Sequence, residues 1–464
     1  MTSPGTTDHV ELRAGAYADS VALLQVSRDV QQLPGVVSAQ VAMATPLNVE
    51  VLGEMGFIVP DGATPNDLVV ALRLEPGGDL ATVLATVGAA LVPARPSGDR
   101  RDVEPRRTTA TALLDGPAIA LVSVPGASAL VEAMDALDAG CDVMIFSDHV
   151  PLEQEVALKR AAAARGLLVM GPDCGTAIVG GLGLGFANAT RPGPVGIVAA
   201  SGTGCQQLLA LLDHAGVGVS SALGVGGRDL SAEVGGLSTL EAMRRLDADD
   251  TVELIVVVSK PPAPEVATAI EEYAATLTTP VELALLGAGR PDLTAAAEAV
   301  LARLRVAYPD WPVDGHATTG AGGAIRGLFV GGTLCQEAAL IAGTDHGHTF
   351  VDFGDDAYTE GRAHPMIDPT LRLDHLRTAA ADASTGVVLL DVVLGHGAEP
   401  DPSVSLAAAL TEVDLPVVVS VVGTADDPQD RARQVRALVA TGAEVHLSNA
   451  AATRRAIELS GGAR

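Results

Sequence analysis

Aromatic side chains make up only 2% of this 464-residue chain. Any core must therefore be packed from aliphatic groups, and the 48% of residues that are hydrophobic are mostly Ala, Val and Leu. That composition suits helices laid on parallel sheets, whose strands are buried on both faces. Basic residues are scarce as well: 29 Lys and Arg against 57 Asp and Glu leave a formal charge of −28. Such a field disfavours nucleic acid and anionic membrane as partners. It leaves room for small anionic substrates, because a few cations focus a positive site locally. Cysteine is rarer still. Cys141, Cys174, Cys205 and Cys335 show no CxxC or Cys/His metal spacing, so no metal is expected and reduced thiols in a cytoplasmic protein are. No run of about 18 apolar residues reads as a membrane span. The start of the chain, MTSPGTTDHVELRAG, has neither a basic lead nor an apolar core, so no signal peptide is expected.

At this length one core is too few, and the chain reads as several α/β domains. Residues 1–92 form a small α/β unit of βαβ character, with strands at 10–14, 36–43 and 68–74. Residues 93–111 change composition sharply into an Arg/Pro-rich linker or exposed loop (Arg95, Arg100, Arg101, Arg106, Arg107). From 112 to 189, apolar runs at 118–124, 142–146 and 167–170 alternate with helices and predict a doubly wound parallel sheet. A second alternation occupies 190–312, with strands at 196–200, 219–223, 253–258 and 281–286. A third occupies 320–464, with strands at 387–394, 417–422 and 444–447. The fold class is thus multi-domain α/β.

The stretch around which the rest is organised is Gly196–Cys205, GIVAASGTGC. An apolar strand feeds a turn of Ser201, Gly202, Thr203 and Gly204, and then an apolar-periodic helix through Leu208, Leu209, Leu211 and Leu212. A helix start after a glycine turn presents free N–H groups and the positive end of the helix dipole, which together bind phosphate. Packing alone also accounts for small residues in such a turn. Two further glycine turns follow apolar runs and carry charge: Met170–Thr176 with Asp173 and Cys174, and Gly224–Ser231 with Gly226, Gly227, Arg228 and Asp229. Three such turns point to one cleft at the strand carboxyl ends.

Arg228 offers a planar fork for carboxylate or phosphate, while Asp229 either orients it or caps the next helix, with Ser231 as the competing cap. Lys260, at the end of the buried strand in VVVSKPP, either meets an anion or snorkels to the surface. Cys174 reads as structural or ligand-lining in preference to nucleophilic. The stretch Phe353–Arg372 concentrates Asp355, Asp356, Tyr358, Glu360, Arg362, His364, Asp368 and Arg372, and reads as a site loop. In it His364 serves acid–base work, phosphate or packing, and the adjacent Asp355 and Asp356 are candidate Mg²⁺ ligands, for which two neighbouring acids alone are weak evidence. His346 and His348 read as a surface loop. Finally, Gly327–Cys335 repeats Gly196–Cys205 with one residue deleted, and Gln336 matches Gln206, so the second and third domains look related.

Long motifs carry a resemblance: LLVMGPDCGTAIVGGLGLGFAN, GVGGRDLSAEVGG, VVVSKPP, VDFGDDAYTEGRAHPMIDPTLR and VVLLDVVLGHGAEPDP. In these the chain resembles the FdrA family, a branch of the succinyl-CoA synthetase-like proteins, from about residue 11 to its end. The resemblance implies a Rossmann-like CoA-binding-type domain at 112–189 and a flavodoxin-like ligase domain of the α-subunit type at 190–312. A second flavodoxin-like ligase domain, of the β-subunit carboxyl-terminal type, follows at 320–464. The family's acyl-CoA synthetases carry a phosphorylated histidine after the strand matching 281–286. Here that strand runs into Gly287–Asp292 without a histidine, and there is no room for an ATP-grasp domain.

The resemblance further implies one subunit of an oligomeric oxamate carbamoyltransferase in purine and allantoin catabolism. That enzyme interconverts oxalurate plus phosphate with oxamate plus carbamoyl phosphate, with companion subunits and with CoA as a further ligand. Ser201–Gly204 would then hold phosphate, Lys260 or Arg228 neutralise it, and Arg362 or Arg372 clamp the oxamate carboxylate. The other readings are an acyl-CoA synthetase and a CoA- or phosphate-binding scaffold.

Overall fold

The computed structural model describes residues 6–16, 18, 20–60, 62–91, 108–112, 118–317, 322–343, 347–359 and 363–461. The chain divides into two compact units, residues 1–104 with 360–363, and residues 105–359 with 364–464. The arginine-rich loop and Arg362 lie outside the described residues.

In the first unit the elements run β1 (Thr7–Arg13), α1 (Ser20–Gln31), β2 (Val36–Met43), α2 (Pro46–Glu54), β3 (Leu68–Leu74) and α3 (Leu80–Ala90). The βαβ expectation takes its split form. β3 lies between β1 and β2 and is antiparallel to both, so β1 and β2 run the same way without touching. Thr45 and Asp79 cap α2 and α3 with their side-chain oxygens, and Pro46 fills the first turn of α2 where its missing N–H costs nothing. Both faces of β3 are covered. Leu68, Val70 and Leu72 pack under α1 and α3, and Val69 and Ala71 pack with Leu52 and Phe57.

The second unit opens with α4 (Thr109–Ala112), β4 (Ile119–Val122), α5 (Gly126–Asp138), β5 (Asp142–Ile145), α6 (Leu152–Ala163) and β6 (Val169–Met170). β4, β5 and β6 form a parallel sheet of three strands, smaller than the doubly wound sheet expected from the sequence. The reason lies in the next segment. β7 (Thr176–Val179) and β8 (Leu182–Gly185) form a glycine-rich hairpin that leaves this sheet and joins the following one.

That next sheet, in the order β12-β11-β9-β10-β7-β8, contains β9 (Val195–Ala200), β10 (Val219–Gly224), β11 (Leu254–Ser259) and β12 (Val281–Leu285), with α7 (Gly202–His214), α8 (Leu237–Asp247), α9 (Pro264–Ala274) and α10 (Leu293–Arg303) between and after them. The last sheet, β13-β18-β17-β16-β14-β15, uses β13 (Val313–Asp314), β14 (Ala324–Phe329), β15 (Thr349–Asp352), β16 (Thr385–Val393), β17 (Val417–Val422) and β18 (Glu444–His446). Its helices are α11 (Gly332–Ala342), α12 (Asp356–Thr359), α13 (Thr370–Ala381), α14 (Pro402–Leu410), α15 (Arg431–Val439) and α16 (Asn449–Leu459).

The related strand–turn–helix units, β9–α7 and β14–α11, meet in one core. Ile197, Leu208 and Leu211 from the first share a cluster with Ile325, Phe329 and Leu334 from the second. This is why α7 is buried continuously from Gly204 to Asp213: its own sheet covers one side and the other domain covers the rest. Its buried polar groups find partners across that seam. Gln206 Nε2 donates to Phe186 O and Leu394 O, and Gln207 Nε2 donates to Leu447 O. Among the described residues no helix is long and apolar enough to cross a membrane.

Candidate functional site: two helix starts in one cleft

The turns singled out in the sequence converge. Ser201 caps α7, its Oγ accepting the N–H of Gly204 at 2.9 Å. Gly331 occupies the same place before α11. The two helix starts touch: Ser201 and Thr333 hydroxyls share a hydrogen bond of 2.5 Å, and a Cβ on Gly331 would lie 3.0 Å from Thr203 Cβ. The N–H groups of Gly202 and Thr203, and those of Gly332, Thr333 and Leu334, have no partner among the described residues. Thr333 and Leu334 are nonetheless buried, and buried N–H groups without partners are rare. Two helix starts thus present their positive dipole ends and five donors side by side.

Lys260 reaches the same place from the end of β11. A Cβ on Gly332 would collide with Asp352 Oδ2 and sit 2.9 Å from Lys260 Nζ, so a larger residue must push one of these side chains aside. Desolvation holds the Asp352 carboxyl above the usual range, while Lys260 and the Gly354 N–H oppose that rise.

The Met170–Thr176 loop supplies the next wall. Thr176 Oγ1 lies 3.7 Å from the Cβ position of Gly202, and Gly226 (φ 91°) closes on Pro172 O at 2.7 Å from its own Cβ position. Asp173 sits in the left-handed region at φ 55°, its N–H donating to Ser147 O. The residue is exposed to solvent, yet the protein around it desolvates its carboxyl. That desolvation, reinforced by Asp148 and Asp356 and opposed by Lys260 and Arg228, raises its carboxyl to about 7.

His364 faces the same space. Its Nε2 lies 2.8 Å from the Cβ position of Gly354, beside Asp352 Oδ1 and Val330 O. Desolvation lowers its pKa to about 4 against the pull of Asp148, so the ring is neutral at neutral pH. Nδ1 accepts the N–H of Met366 at 3.2 Å, which leaves the ring proton on Nε2. His364 therefore offers a donor, not a base. Phe186 stacks against it at 6.0 Å and against Phe146 at 5.5 Å. His149 bridges the rim, Nδ1 at 3.1 Å from Asp148 and Nε2 at 3.8 Å from exposed Asp356.

Several expected site residues serve the scaffold instead. Asp229 is fully buried; it takes Lys159 Nζ at 2.7 Å and the N–H groups of Ser238 and Thr239 at the start of α8. Lys159, itself buried, also binds Glu155, and a buried cation of this kind needs those partners. Arg228 donates Nε to Glu155 and Nη2 to Val150 O, yet its side chain stays 44% exposed with Nη1 unengaged among the described residues. Arg372 does not line the cleft as a clamp. It is buried, donating Nη2 to Asp391 O at 2.6 Å with the Asp391 carboxylate 3.6 Å from Nη1, because a buried guanidinium requires a counter-charge.

Cys174 is buried and its thiol is pushed up to about 12, a lining role and not a nucleophile's. Asp355 accepts the Ala357 N–H, and a Cβ on Gly227 would meet open space. His348 is buried, its Nδ1 accepting the N–H of Ile325, and so is not part of a surface loop. Among the described residues no group of three or more His, Cys, Asp or Glu is arranged to hold a metal.

Residues missed in the sequence are Lys159, Asp352 and Asp391. Asp391 had a visible signal, an acid alone in the buried run VVLLDVV.

With this geometry in place, comparison with known proteins is informative. Residues 328–459 match a family described as CoA-ligase and residues 190–282 one described as CoA binding domain. The second match falls on the segment expected to be the ligase-type domain. Residues 5–106 match AllF, heavy metal-associated domain. The class is therefore that of succinyl-CoA synthetase-like, CoA-binding and ligase-type α/β proteins. Within it, the chain belongs to the family of YahF of Escherichia coli (strain K12), an uncharacterized protein to which it is 36% identical over 93% of this chain and 95% of YahF.

The succinate–CoA ligase [ADP-forming] subunit alpha of Staphylococcus aureus (strain Mu50 / ATCC 700699) is 26% identical over 36% of this chain and 55% of that subunit. The dinucleotide-forming acetyl-coenzyme A synthetase 1 of Ca. Korarchaeum cryptofilum aligns at 15% identity with a TM-score of 0.31, over 79% of this chain and 89% of that one, a likeness too loose to carry an argument. A heavy metal does not fit residues 5–106. They hold no cysteine, and their one histidine, His9, lies with Nε2 3.4 Å from Glu11.

Proposed function

We propose that the chain is the phosphate-anhydride-handling subunit of a carbamoyltransferase of the oxamate type, exchanging oxamate plus carbamoyl phosphate with oxalurate plus phosphate. The observation behind this is the set of five unpartnered N–H groups at two touching helix starts, with Lys260 beside them. They suit a phosphate dianion, which the overall charge of −28 would otherwise repel. The His364 Nε2–H suits the carbonyl oxygen of the mixed anhydride, where negative charge grows as the carbon becomes tetrahedral. Arg228 Nη1 suits the acceptor's carboxylate. Direct transfer between two bound substrates is favoured over a covalent relay. The His364 lone pair is taken by the Met366 N–H, and desolvation holds Cys174 and Cys205 near 12 and keeps Cys335 protonated. Positioning then supplies much of the rate.

A second reading, an acid–thiol ligase using CoA, is favoured by the family matches at 190–282 and 328–459. Both readings use the same phosphate nest. The deciding experiment supplies the purified chain, alone and with the subunits encoded beside it, with oxamate and carbamoyl phosphate. Phosphate release and oxalurate formation are followed, and parallel reactions contain succinate, CoA and ATP. Oxamate-dependent phosphate release supports the first reading. Thioester formation, with label from γ-phosphate of ATP on the chain, supports the second and sinks the first.

A further inference from the structure

The transfer step needs a proton-transfer group that the function proposed above leaves unassigned. An acceptor amide that bonds to a carbonyl carbon must shed a proton, and a departing phosphate must gain one. His364 presents its only proton with no free lone pair, and the cleft thiols are held protonated by burial. The carboxylates differ in how they are used. Asp391 and Asp229 are buried and fully hydrogen-bonded, Asp352 accepts the Gly354 N–H, and Asp355 accepts the Ala357 N–H. Asp173 alone among these five has no hydrogen-bond partner for its side chain among the described residues, and it is exposed.

Its place is held firmly. A non-glycine residue at φ 55° is sparsely populated backbone, and such positions gather where a side chain must be aimed. The loop is pinned on both sides, by the Asp173 N–H on Ser147 O and by the Cys174 N–H on Ile145 O, and Gly226 closes over Pro172 O. Charged groups face Asp173 from four elements: Asp148 after β5, Asp356 at the start of α12, Lys260 after β11 and Arg228 after β10.

We propose that Asp173 is the proton-transfer group of this site, a reading that rests on the function proposed above. Its carboxylate takes the proton from the acceptor's N–H as nitrogen bonds to the carbonyl carbon. The C–O bond to phosphate then breaks with its electron pair left on the phosphate oxygen, and Asp173 delivers the proton to that oxygen. Asp173 ends as it began, and the net reaction moves one acyl group and one proton. A thiol acceptor sheds its S–H proton to the same group. The opposed influences on Asp173 set it near neutral, where a carboxyl is equally able to accept and to donate.

The test is Asp173→Asn in the assembled enzyme. Asparagine keeps the shape and tolerates the left-handed backbone, so the loop is retained. In the variant kcat should fall at least about 100-fold. Inorganic phosphate should bind no more weakly, since a negative charge has been removed. A wild-type acidic limb in kcat near pH 7 should be lost. If wild type turns over and Asp173→Asn retains kcat within threefold, with the limb intact, the proposal is overturned while the transferase reading stands. If wild type turns over no mixed anhydride, the transferase reading falls. Infrared difference titration of wild type against Asp173→Asn then decides for Asp173 itself. A carboxyl band titrating near pH 7 and missing from the variant keeps it as a proton-exchanging group, and no such band overturns the proposal.

Discussion

The two strand–turn–helix halves, Gly196–His214 and Gly327–Ala342, share a plan and differ in what holds the helix start. In the first, the cap is a neutral hydroxyl, Ser201 Oγ on the Gly204 N–H. In the second, Gly331 has no side chain to offer, and the cap is borrowed. The Asp391 carboxylate on the neighbouring strand β16 takes the N–H groups of Val330 and Gly331, each at 2.8 Å. Arg372 answers that buried charge from behind. A second acid, Asp352, crowds Gly332 on the same side. The halves therefore differ in what surrounds the helix start. The first is capped by a hydroxyl, and the second has its free N–H groups beside carboxylates of its own sheet. Lys260, from the first half's sheet, sits where they meet.

Breaking the borrowed cap should have the largest effect. Asp391→Ala leaves two buried N–H groups without a partner and takes the carboxylate away from a buried guanidinium, and should cost about 3–5 kcal/mol in unfolding free energy. A denaturant midpoint indistinguishable from wild type would contradict the asymmetry. Next comes Gly332→Ala, where the new Cβ must displace Asp352 or Lys260. About 1–3 kcal/mol of lost stability is expected, with weaker phosphate binding measured by calorimetry. Ser201→Ala removes a neutral cap and the hydroxyl contact to Thr333, so about 1–2 kcal/mol is expected from the same unfolding curves.

A further prediction sharpens the comparison by pH. Gln207 in the first half and Glu337 in the second occupy matching helix positions, and both bind Asn449. Desolvation raises Glu337 from 4.5 to about 7. A carboxyl whose folded pKa is raised adds stability that is complete below 4.5 and is lost as the pH climbs through about 7. Glu337→Gln should remove that component, a slope of at most about 1.4 kcal/mol per pH unit. Parallel urea titrations of wild type and variant across this window check it.

Much of this plan was legible in the sequence. Apolar runs such as Leu254–Ser259 and Val417–Val422 announced buried parallel strands, and the glycine–hydroxyl turn at 201–204 announced a helix start. The repeat announced the second one. What escaped was whatever depends on a partner far along the chain. The role of Asp229 is set by Lys159, 70 residues earlier, and that of Arg372 by Asp391. The Thr176–Gly185 hairpin escaped because its glycines read as turn, whereas β10 recruits it into a sheet. Asp173 and Lys260 stood out correctly as polar residues at strand ends, but their mutual influence appears only in the folded cleft.

The most direct measurement of the central claim is calorimetric titration of inorganic phosphate into the full chain and into Lys260→Ala. Binding at a single site in wild type, weakened at least about tenfold in Lys260→Ala with unfolding unchanged, is what two converging helix starts beside a lysine require. Phosphate binding of equal affinity in both proteins, or none in wild type, would contradict the account.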